Sequence, residues 1–449
     1  MIKNNVIIGH DGWLFLNSGA QKQREHLNGT LSPTAIDVEN FRQNITSRFE
    51  FCRSHGMDYL HVVFPTKDLV TREMLPTSYA AEQSSLFDRC YRGVFGDHLP
   101  EYLVYPLDEL IDLHSKKSAF FKFDTHLSAI GRLHIVSIIL AKLGLPCDPV
   151  LYFIERDLKH SGDLGKMLQS SETSDETWLD HIIPTAKTFN NITYLKGNSN
   201  NIVIVSNDLA VFDKRLLVFG DSFIAGCLSI LSAFFKDIIY IRSPFFQKDA
   251  VSLFSPDIIV SANSERYLSA VKSDTSSHSV VLANYGAEDY RPSDEFSDAL
   301  RAQASWGHHH SYYTSWRNKN IPKPLYVDPV LGPAFGNAML VPVNELERSF
   351  SSIGRDPQLI FPRAGLALRS EKTISFEIES SVDGKCQLFY PGINEKGYPF
   401  LNQDSLSLDV KQGRNILTFK LDRNRSIPLI RFDPLATPGV FTILSTRAW

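Results

Sequence analysis

The sequence predicts an α/β fold, a doubly wound and mainly parallel sheet, followed by a C-terminal β-sandwich. Over residues 1–285, short apolar runs alternate with apolar residues at helical spacing, which is typical of a parallel sheet with helices on both faces. Over residues 336–449 the helical spacing disappears, and apolar and polar residues alternate instead. Residues 286–335 are rich in Ser, Tyr, Pro and His, which indicates a linker or crossover between two domains.

The composition is that of a globular chain without a strongly charged partner. Of its 449 residues, 43% are hydrophobic and 21% are charged, and the net charge is −4. This balance favours neither a nucleic acid nor an anionic membrane as partner. No apolar run reaches the roughly 18 residues of a membrane span, and the N-terminus lacks the pattern of a signal peptide. The five cysteines are odd in number and widely spaced, so we expect reduced thiols and a cytoplasmic location.

Apolar periodicity predicts the individual elements of both domains. In the first domain it predicts helices over residues 33–55, 84–95 and 128–143, and strands over residues 58–64, 103–106, 201–205, 216–219, 238–241, 257–260 and 279–282. In the second domain, period-two alternation predicts strands over residues 373–379, 387–390, 405–410, 415–421 and 439–444. Gly, Asn, Asp and Pro turns separate these last strands, as in a β-sandwich.

The first candidate functional residue is Ser222, at the end of a predicted strand. Leu216–Phe219 is an apolar run, Gly220-Asp221-Ser222 interrupts it, and residues 223–235 follow as a predicted apolar helix. A strand, tight turn and helix place the serine hydroxyl at the carboxyl end of the sheet, beside main-chain N–H groups. We therefore expect Ser222 to be a nucleophile. A plain turn between a strand and a helix is the alternative.

The second candidate is the pair Asp124 and His126, which precedes the helix predicted to begin at Ser128. At a spacing of two in an extended segment, both side chains point to the same side. A histidine near a helix N-terminus is biased towards the neutral imidazole that a general base needs. The alternative is that Asp124 or Thr125 caps the helix and the histidine is incidental.

Six short stretches occur in an order that resembles a known family. They are HDGWLFL (10–16), FPTKDLVTREMLP (64–76), DTHLSAIG (124–131), SGDLGKML (161–168), FGDSF (219–223) and PDIIV…ER (256–266). Together they resemble the SGNH-hydrolase-like acetyltransferases of the alginate O-acetyltransferase family over residues 9–270. The resemblance implies an SGNH-like sheet with Ser222 as nucleophile, His126 as general base and Asp124 as the group that orients the histidine.

The chemistry agrees with these roles, because a serine hydroxyl attacks only when a base takes its proton and a carboxylate fixes that base. Asp-x-His precedes the serine here, which is the permuted order of this acetyltransferase group. Leu127 replaces the family's tryptophan, which affects the contacts to an acceptor. The absent export signal suggests a cytoplasmic relative that acts on a glycan or its precursor, without a bound cofactor and with acetyl-CoA as donor.

The function predicted is acetyl transfer to a hydroxyl of a bacterial surface polysaccharide or its precursor. Residues 430–443 resemble the sandwich modules attached to bacterial glycan-building glycosyltransferases, which implies a polysaccharide context and other biosynthetic proteins as partners. A plain structural turn explains Asp433-Pro434 equally well. One alternative is a carbohydrate esterase with the same triad and water as acceptor. Another is a carbohydrate-binding protein without catalysis.

Further residues are candidates for the oxyanion or substrate site. The main-chain N–H of Ser222 is expected to stabilise the oxyanion. Asn263, Lys67, Arg266 and Asp221 follow or end predicted strands and are candidates to line the site, with solvated loops or a salt bridge of Arg266 as alternatives. Three adjacent histidines, 308–310, do not have metal-ligand spacing, so no metal is expected. Their aromatic neighbours Trp306, Tyr312, Tyr313 and Trp316 indicate a sugar-stacking or interdomain surface.

Overall fold

The computed structural model describes residues 2–80, 83–145, 147–195, 199–280, 290–344, 348–368, 372–391, 400–421, 427 and 429–449. The chain begins with a small antiparallel sheet of β1 (Ile2–Lys3), β2 (Val6–Ile8) and β3 (Leu14–Leu16). Val6 and Leu14 of this sheet pack against Phe123 and Leu164. The N-terminal sheet therefore covers the segment that carries Asp124 and His126.

A larger sheet forms the centre of the first domain. The strands that follow are β4 (Asp58–Phe64), β5 (Leu103–Val104), β6 (Phe153–His160), β7 (Ser174–His181), β8 (Lys187–Asn190), β9 (Ile202–Ser206), β10 (Phe212–Gly220), β11 (Phe235–Ile241) and β12 (Ile258–Ser264). Among the described residues, β6 and β7 pair with each other and the other seven form one sheet in the order β5-β4-β12-β10-β11-β9-β8. β9 runs antiparallel to β8 and β11, and the remaining pairs are parallel. The predicted mainly parallel sheet is confirmed.

Helices cover both faces of this sheet. They include α1 (Gln23–Leu27), α2 (Ala35–Ser54), α3 (Lys67–Val70), α4 (Thr77–Ala80), α5 (Leu86–Cys90), α6 (Leu107–His114), α7 (Ala129–Lys142), α8 (Asp163–Met167), α9 (Ser222–Ala225), α10 (Leu228–Leu231) and α11 (Lys248–Phe254). Leu216 and Val218 of β10 join the apolar cluster that contains α7, whereas Leu217 and Phe219 join the cluster that contains α11. This alternation follows from the two-residue period of a strand and confirms the doubly wound fold.

Three element predictions in this domain differ from the structure. The helix predicted over residues 223–235 is two short helices, α9 and α10, and β11 already begins at Phe235. A short apolar run is compatible with either a buried helix or a buried strand, so periodicity did not separate them. In the segment 84–95, α5 ends at Cys90 and a 3₁₀ turn follows over Arg92–Phe95. The strand predicted over 279–282 is absent at Ser279 and Val280, and residues 281–282 lie outside the described residues.

The region predicted as a linker is largely helical. Within 286–335, α12 (Asp294–Ala304) and α13 (His310–Asn320) pack on the central sheet and bury Phe296 and Trp316 in its apolar core. Tyr313 is buried as well, so Tyr313 and Trp316 are core residues, whereas Tyr312 is exposed and Trp306 half-buried; a sugar-stacking or interdomain surface at these two stays a prediction. Polar composition concealed the helices because their apolar face is narrow.

A buried ionic network joins these two helices to the sheet. Asp237 of β11 is fully buried and accepts hydrogen bonds from side chains on four elements, namely Ser206, Arg215, Gln303, Tyr313 and Arg317. Although burial acts to raise it, the pKa of Asp237 is lowered by the charges of Arg317 and Arg215. A buried carboxylate needs such partners to remain ionised. The buried faces of these two helices are therefore part of the first domain's interior.

Two antiparallel sheets form the C-terminal domain. Their strands are β13 (Tyr326–Asp328), β14 (Gly332–Gly336), β15 (Leu340–Asn344), β16 (Ser349–Ser352), β17 (Leu359–Phe361), β18 (Thr373–Ser380), β19 (Gly384–Phe389), β20 (Ser405–Val410), β21 (Gly413–Lys420), β22 (Ile430–Asp433) and β23 (Gly439–Ala448), with one helical turn, α14 (Ala364–Ala367). The sheet orders are β13-β14-β17-β22-β19-β20 and β15-β16-β23-β18-β21. Phe376 of one sheet stacks on Phe432 of the other, with ring centroids 4.2 Å apart. This shared core is that of the predicted sandwich.

The two domains contact each other directly. The Tyr152 hydroxyl donates to the Pro362 carbonyl oxygen at 3.2 Å, and Arg363 Nε donates to the Ala210 carbonyl oxygen at 2.6 Å.

All five cysteines are free thiols. In the part of the chain that is described, no helix has both the length and the apolar composition needed to cross a bilayer.

Candidate active site

The turn that carries Ser222 is held rigidly at the end of β10. A Cβ on Gly220 would lie 2.6 Å from the Ala262 carbonyl oxygen, so this close approach requires glycine. Asp221 caps α9 by accepting from Phe223 N–H at 2.8 Å, and its second oxygen accepts from Ser264 N–H at 2.6 Å. Ser222 is the first residue of α9. The predicted strand-turn geometry places its side chain at the carboxyl edge of the sheet.

Ser222, His126 and Asp124 lie in contact. His126 Nε2 is 2.9 Å from Ser222 Oγ, and His126 Nδ1 is 2.6 Å from Asp124 Oδ1. A carboxylate only accepts hydrogen bonds, so Nδ1 carries the proton and Nε2 of the neutral ring accepts from the serine hydroxyl. The cap of α7 is Ser128, which accepts from Gly131 N–H at 3.0 Å. The alternative in which Asp124 or Thr125 caps this helix is therefore wrong.

Asp124 is held as an ionised carboxylate. It accepts hydrogen bonds from His126 N–H, His126 Nδ1–H, His160 Nε2–H and Asp163 N–H, at 2.6 to 3.2 Å. Burial acts to raise its pKa, but the hydrogen bond and charge of His126 outweigh burial and hold the pKa well below its usual range. The carboxylate therefore stays charged over the pH range in which a histidine base works.

His160 and Asp163 are contacts that sequence reasoning missed. Asp163 accepts from Thr125 N–H at 2.8 Å and from Thr125 Oγ1–H at 2.6 Å, and lies 3.7 Å from His126 Nδ1. Gly162, with a φ of +65°, lets this loop approach so closely that a Cβ would lie 2.0 Å from the Phe123 carbonyl oxygen. The signal was the SGDLGKML stretch, but nothing in its spacing shows that it folds against Asp124.

Asp124, His126 and Asp163 also offer ligand atoms within 4.8 Å of one another. The nitrogen and oxygen atoms concerned already take part in the hydrogen bonds given above. The expectation that the protein needs no metal stays a prediction.

The Lys67 side chain is buried beside the Asp124 segment, and its ammonium group points to main-chain carbonyl oxygens. Its ammonium group has three N–H donors, which are shared among four main-chain carbonyl oxygens at 2.7 to 3.0 Å from Nζ, those of Leu14, Phe121, Lys122 and Asp124. The side chain is 4% exposed, and burial lowers the pKa of Lys67 to about 7, although Asp124 and Asp68 act to raise it. The predicted role as a donor to the substrate or oxyanion is therefore wrong. Lys67 instead ties the N-terminal sheet to the Asp124 segment.

Replacing Lys67 by methionine keeps the apolar stem and removes the donors. Since buried acceptors without partners cost about 1–3 kcal/mol each, we expect the free energy of unfolding to fall by about 3 kcal/mol or more. Urea unfolding of the variant and of Lys166→Met, which alters an exposed lysine, measures this difference. A loss below about 1 kcal/mol would show that the carbonyl cluster is satisfied in another way.

Asp221 and Asn263 are engaged with neighbouring groups. Both oxygens of Asp221 accept main-chain hydrogen bonds, so this carboxylate shapes the turn and has no donor to offer an oxyanion. Asn263 Oδ1 accepts from His61 Nε2–H at 3.0 Å, and Asn263 Nδ2 donates to the Ser264 carbonyl oxygen at 3.1 Å. Within the described residues, Asn263 makes no hydrogen bond to Ser222. The role of Asn263 in lining the site stays a prediction.

Arg266 lies beside the site. Its guanidinium carbon is 5.6 Å from the ring centroid of Phe223, whose ring in turn lies 5.1 Å from that of His126. No ion pair of Arg266 occurs among the described residues, and its buried Nε has no hydrogen-bond partner there. Arg266 therefore remains a predicted substrate contact. The preceding Glu265 is buried and structural, because it accepts from Ser85, Phe87 and Tyr105.

His61 gives the protein a specific sensitivity to acid. It is 2% exposed, and burial followed by the charge of Arg48 places its pKa well below the ordinary value. Below about pH 6.5 the unfolded chain binds a proton at His61 that the folded chain does not. The free energy of unfolding is therefore unaffected by His61 above this pH and decreases as the pH falls below it. We expect a slope of about 1.4 kcal/mol per pH unit from this residue.

Urea unfolding between pH 7 and pH 5 measures that slope. His61→Asn should flatten it relative to the parent protein, whatever its effect on stability at pH 7. His55→Asn, at an exposed position, should leave it unchanged. Equal slopes for the parent and for His61→Asn would contradict the neutral buried state of His61.

Residues 6–178 match the family model described as SGNH hydrolase-like domain, acetyltransferase AlgX. No curated protein matches the sequence. Among solved structures, PatB1 of Bacillus cereus is 12% identical, with a TM-score of 0.43 over 59% of this chain and 96% of that one.

Two further solved structures are similar. The O-acetyltransferase domain of Pseudomonas putida AlgJ is 17% identical, with a TM-score of 0.38 over 63% of this chain and 99% of that one. Pseudomonas aeruginosa AlgX is 13% identical, with a TM-score of 0.37 over 99% of this chain and 94% of that one. Residues 6–178 of this chain match an SGNH hydrolase-like acetyltransferase domain, as the sequence motifs predict.

Proposed function

We propose that this protein is an O-acetyltransferase that moves an acetyl group through Ser222 to a hydroxyl of a polysaccharide or its precursor. The observation that carries this proposal is the unbroken chain of contacts from Ser222 Oγ through the His126 ring to Asp124, at 2.9 and 2.6 Å. This arrangement activates a serine as nucleophile on many unrelated folds. The match of residues 6–178 to an acetyltransferase domain supports acetyl as the group transferred.

In the first half-reaction Ser222 takes the acetyl group from the donor. His126 Nε2 accepts the hydroxyl proton as Ser222 Oγ attacks the carbonyl carbon, and Asp124 stabilises the imidazolium that forms. The donor's bond to its leaving group breaks, and the leaving group receives the proton from His126. The Ser222 N–H, which has no acceptor among the described residues, is available to the developing oxyanion.

In the second half-reaction a sugar hydroxyl resolves the acetyl-enzyme. The neutral His126 takes the hydroxyl proton, the sugar oxygen attacks the acetyl carbonyl carbon, and the proton returns to Ser222 as its ester bond breaks. The His126 side chain is 25% exposed, so an acceptor can reach the ring from solvent. Asp124, at 12%, is more deeply buried and keeps its orienting role in both steps.

The C-terminal sandwich supports a glycan as the acceptor. A groove of about 420 Å³ on the β17-β22-β19-β20 sheet is lined by aromatic and charged side chains, including Phe389, Phe400, Lys385 and Arg431. Arg431 lies over the ring of Phe389, with its guanidinium carbon 4.5 Å from the ring centroid. Both rings are buried and Arg431 pairs with Asp356 and Asp433, so the groups that the groove offers to a sugar are polar, those of Lys385, Asn402 and Ser407. We propose that this groove holds part of the acceptor.

Intact-mass analysis after mixing with a chromogenic acetate ester tests the acyl-enzyme. We expect one acetyl adduct, and peptide mapping should locate it on Ser222. Adding candidate glycans should speed the loss of this adduct and produce acetylated glycan. Loss at a rate that no glycan alters would favour the esterase, and no adduct on Ser222 would contradict the proposal as a whole.

A further inference from the structure

A cavity of about 460 Å³ lies beside the carboxyl ends of β10 and β12, on the sheet face that carries α2. Its wall includes Gly220 and Asp221, the two residues that precede Ser222, together with Ala262 and Asn263 at the end of β12. Open α/β sheets bind ligands in crevices outside the carboxyl ends of their strands. The proposed steps at Ser222 and His126 make no use of this cavity.

The polar groups of the cavity wall satisfy one another. Tyr59 donates to Ser261, Ser261 to His61 Nδ1, and His61 Nε2 to Asn263 Oδ1, in contacts of 2.7, 2.7 and 3.0 Å. The neutral state of His61 and the single hydroxyl hydrogens fix these directions. The Asn44 side chain likewise donates to the Lys272 carbonyl oxygen and accepts from Asp274 N–H. Few groups are left to pair with the hydroxyls of a sugar.

The cavity wall also carries positively charged side chains that are not paired with a carboxylate in the described part of the chain. Arg48 is paired with Asp274 through two contacts of 2.7 Å. Arg242 is half-buried and Lys272 is exposed, and in the described part of the chain neither side chain has an acceptor within hydrogen-bond distance. The one carboxylate in the described wall, that of Asp221, already accepts two main-chain N–H groups. An anionic group is therefore the complementary ligand at Arg242 and Lys272.

The remaining wall is apolar and aromatic. Phe41 and Ile45 of α2, Phe219 of β10 and Phe245 line it, together with Leu268. Such a wall suits a flat ring or a hydrocarbon chain. The ligand that fits combines an aromatic or apolar body with an anionic group, and this description excludes a neutral glycan.

We propose that this cavity binds the nucleotide end of the acyl donor, and that the donor is therefore an acyl thioester of coenzyme A. The inference rests on the proposed function, because it assigns the donor for the step at Ser222. In that step the thioester C–S bond breaks, the Ser222 Oγ–C bond forms, and the thiolate takes the proton held by His126. Phosphates at Arg242 and Lys272 would anchor the donor, while the adenine ring packs on the phenylalanine wall.

Calorimetric titration of coenzyme A into the Ser222→Ala protein tests this site without turnover. We expect saturable binding, with pantetheine, which lacks the phosphates, at least about a hundredfold weaker. Loss of one charge-assisted contact costs roughly tenfold in affinity, so Arg242→Ala and Lys272→Ala should each weaken binding by about this factor. Lys116→Ala, an exposed lysine paired with Asp112, should bind coenzyme A as the parent does.

Three outcomes would overturn the assignment. They are no binding of coenzyme A, binding that Arg242→Ala and Lys272→Ala leave unchanged, and displacement of coenzyme A by an acidic oligosaccharide. Formation of the Ser222 adduct from the chromogenic ester does not depend on this cavity. If that adduct forms and coenzyme A fails to bind, the donor assignment falls while the proposed function stands.

Discussion

Replacing Ser222 by alanine is expected to lower the rate of acetyl transfer at least about a thousandfold. Alanine removes the oxygen that forms the bond to the acetyl carbon, while His126, Asp124 and the main-chain donors stay in place. The residual rate would come from binding and the oxyanion site alone. Transfer of acetyl from a chromogenic ester to glycan, followed with the adduct on the protein, measures the loss.

Ser229→Ala provides the matched control for this variant. Ser229 is an exposed serine seven positions further along the chain, in α10. Its replacement should leave the transfer rate within about twofold of the parent, since exposed substitutions away from a site have small effects. A Ser222→Ala protein that retains more than a tenth of the parent's activity would exclude an acyl-enzyme at this residue.

The second large effect is expected for Asp124→Asn, which should lower the transfer rate about ten-thousandfold, by analogy with the equivalent change in serine proteases. The carboxylate accepts four hydrogen bonds, whereas an amide nitrogen can only donate. The amide therefore either leaves a donor unpaired or turns the His126 ring into the wrong tautomer. It also removes the negative charge that stabilises the imidazolium.

Asp163→Asn separates orientation from general charge near the histidine. Asp163 lies 3.7 Å from His126 Nδ1 but bonds to Thr125, so we expect a loss of about tenfold or less. The pH dependence of the rate should also shift further for Asp124→Asn, because this carboxylate contacts the ring directly. A larger loss for Asp163→Asn than for Asp124→Asn would show that Asp163, and not Asp124, orients the His126 ring.

The strands and the triad were predictable because their signals are local. β-branched and aromatic runs such as residues 58–64 and 373–379 became strands with bounds close to those predicted. Ser222 and Asp124 stand in short motifs next to an element boundary, and the boundary itself fixes where such side chains point. The predicted contact between segments 96 residues apart depended on the family resemblance, since spacing alone does not bring His126 to Ser222.

What the sequence did not reveal are contacts made by groups with two plausible environments. Lys67 follows a strand in a polar loop, and nothing local shows that it turns inward to four carbonyl groups. His160 contacts Asp124 from 36 residues away, at the end of strand β6, which apolar periodicity did not predict. Helices α12 and α13 have a polar composition because part of their buried face is ionic, which apolar periodicity does not detect.

The Asp237 network sets where the chain can be divided. A fragment that stops at residue 285 would keep this aspartate and Arg215 in the interior while discarding Gln303, Tyr313 and Arg317. Leaving a buried charge without its partners costs about 3–5 kcal/mol, which is a large share of the free energy of unfolding of an ordinary domain. If the two domains are produced separately, the boundary should therefore lie after Asn320, so that α12 and α13 remain in the same fragment as the central sheet.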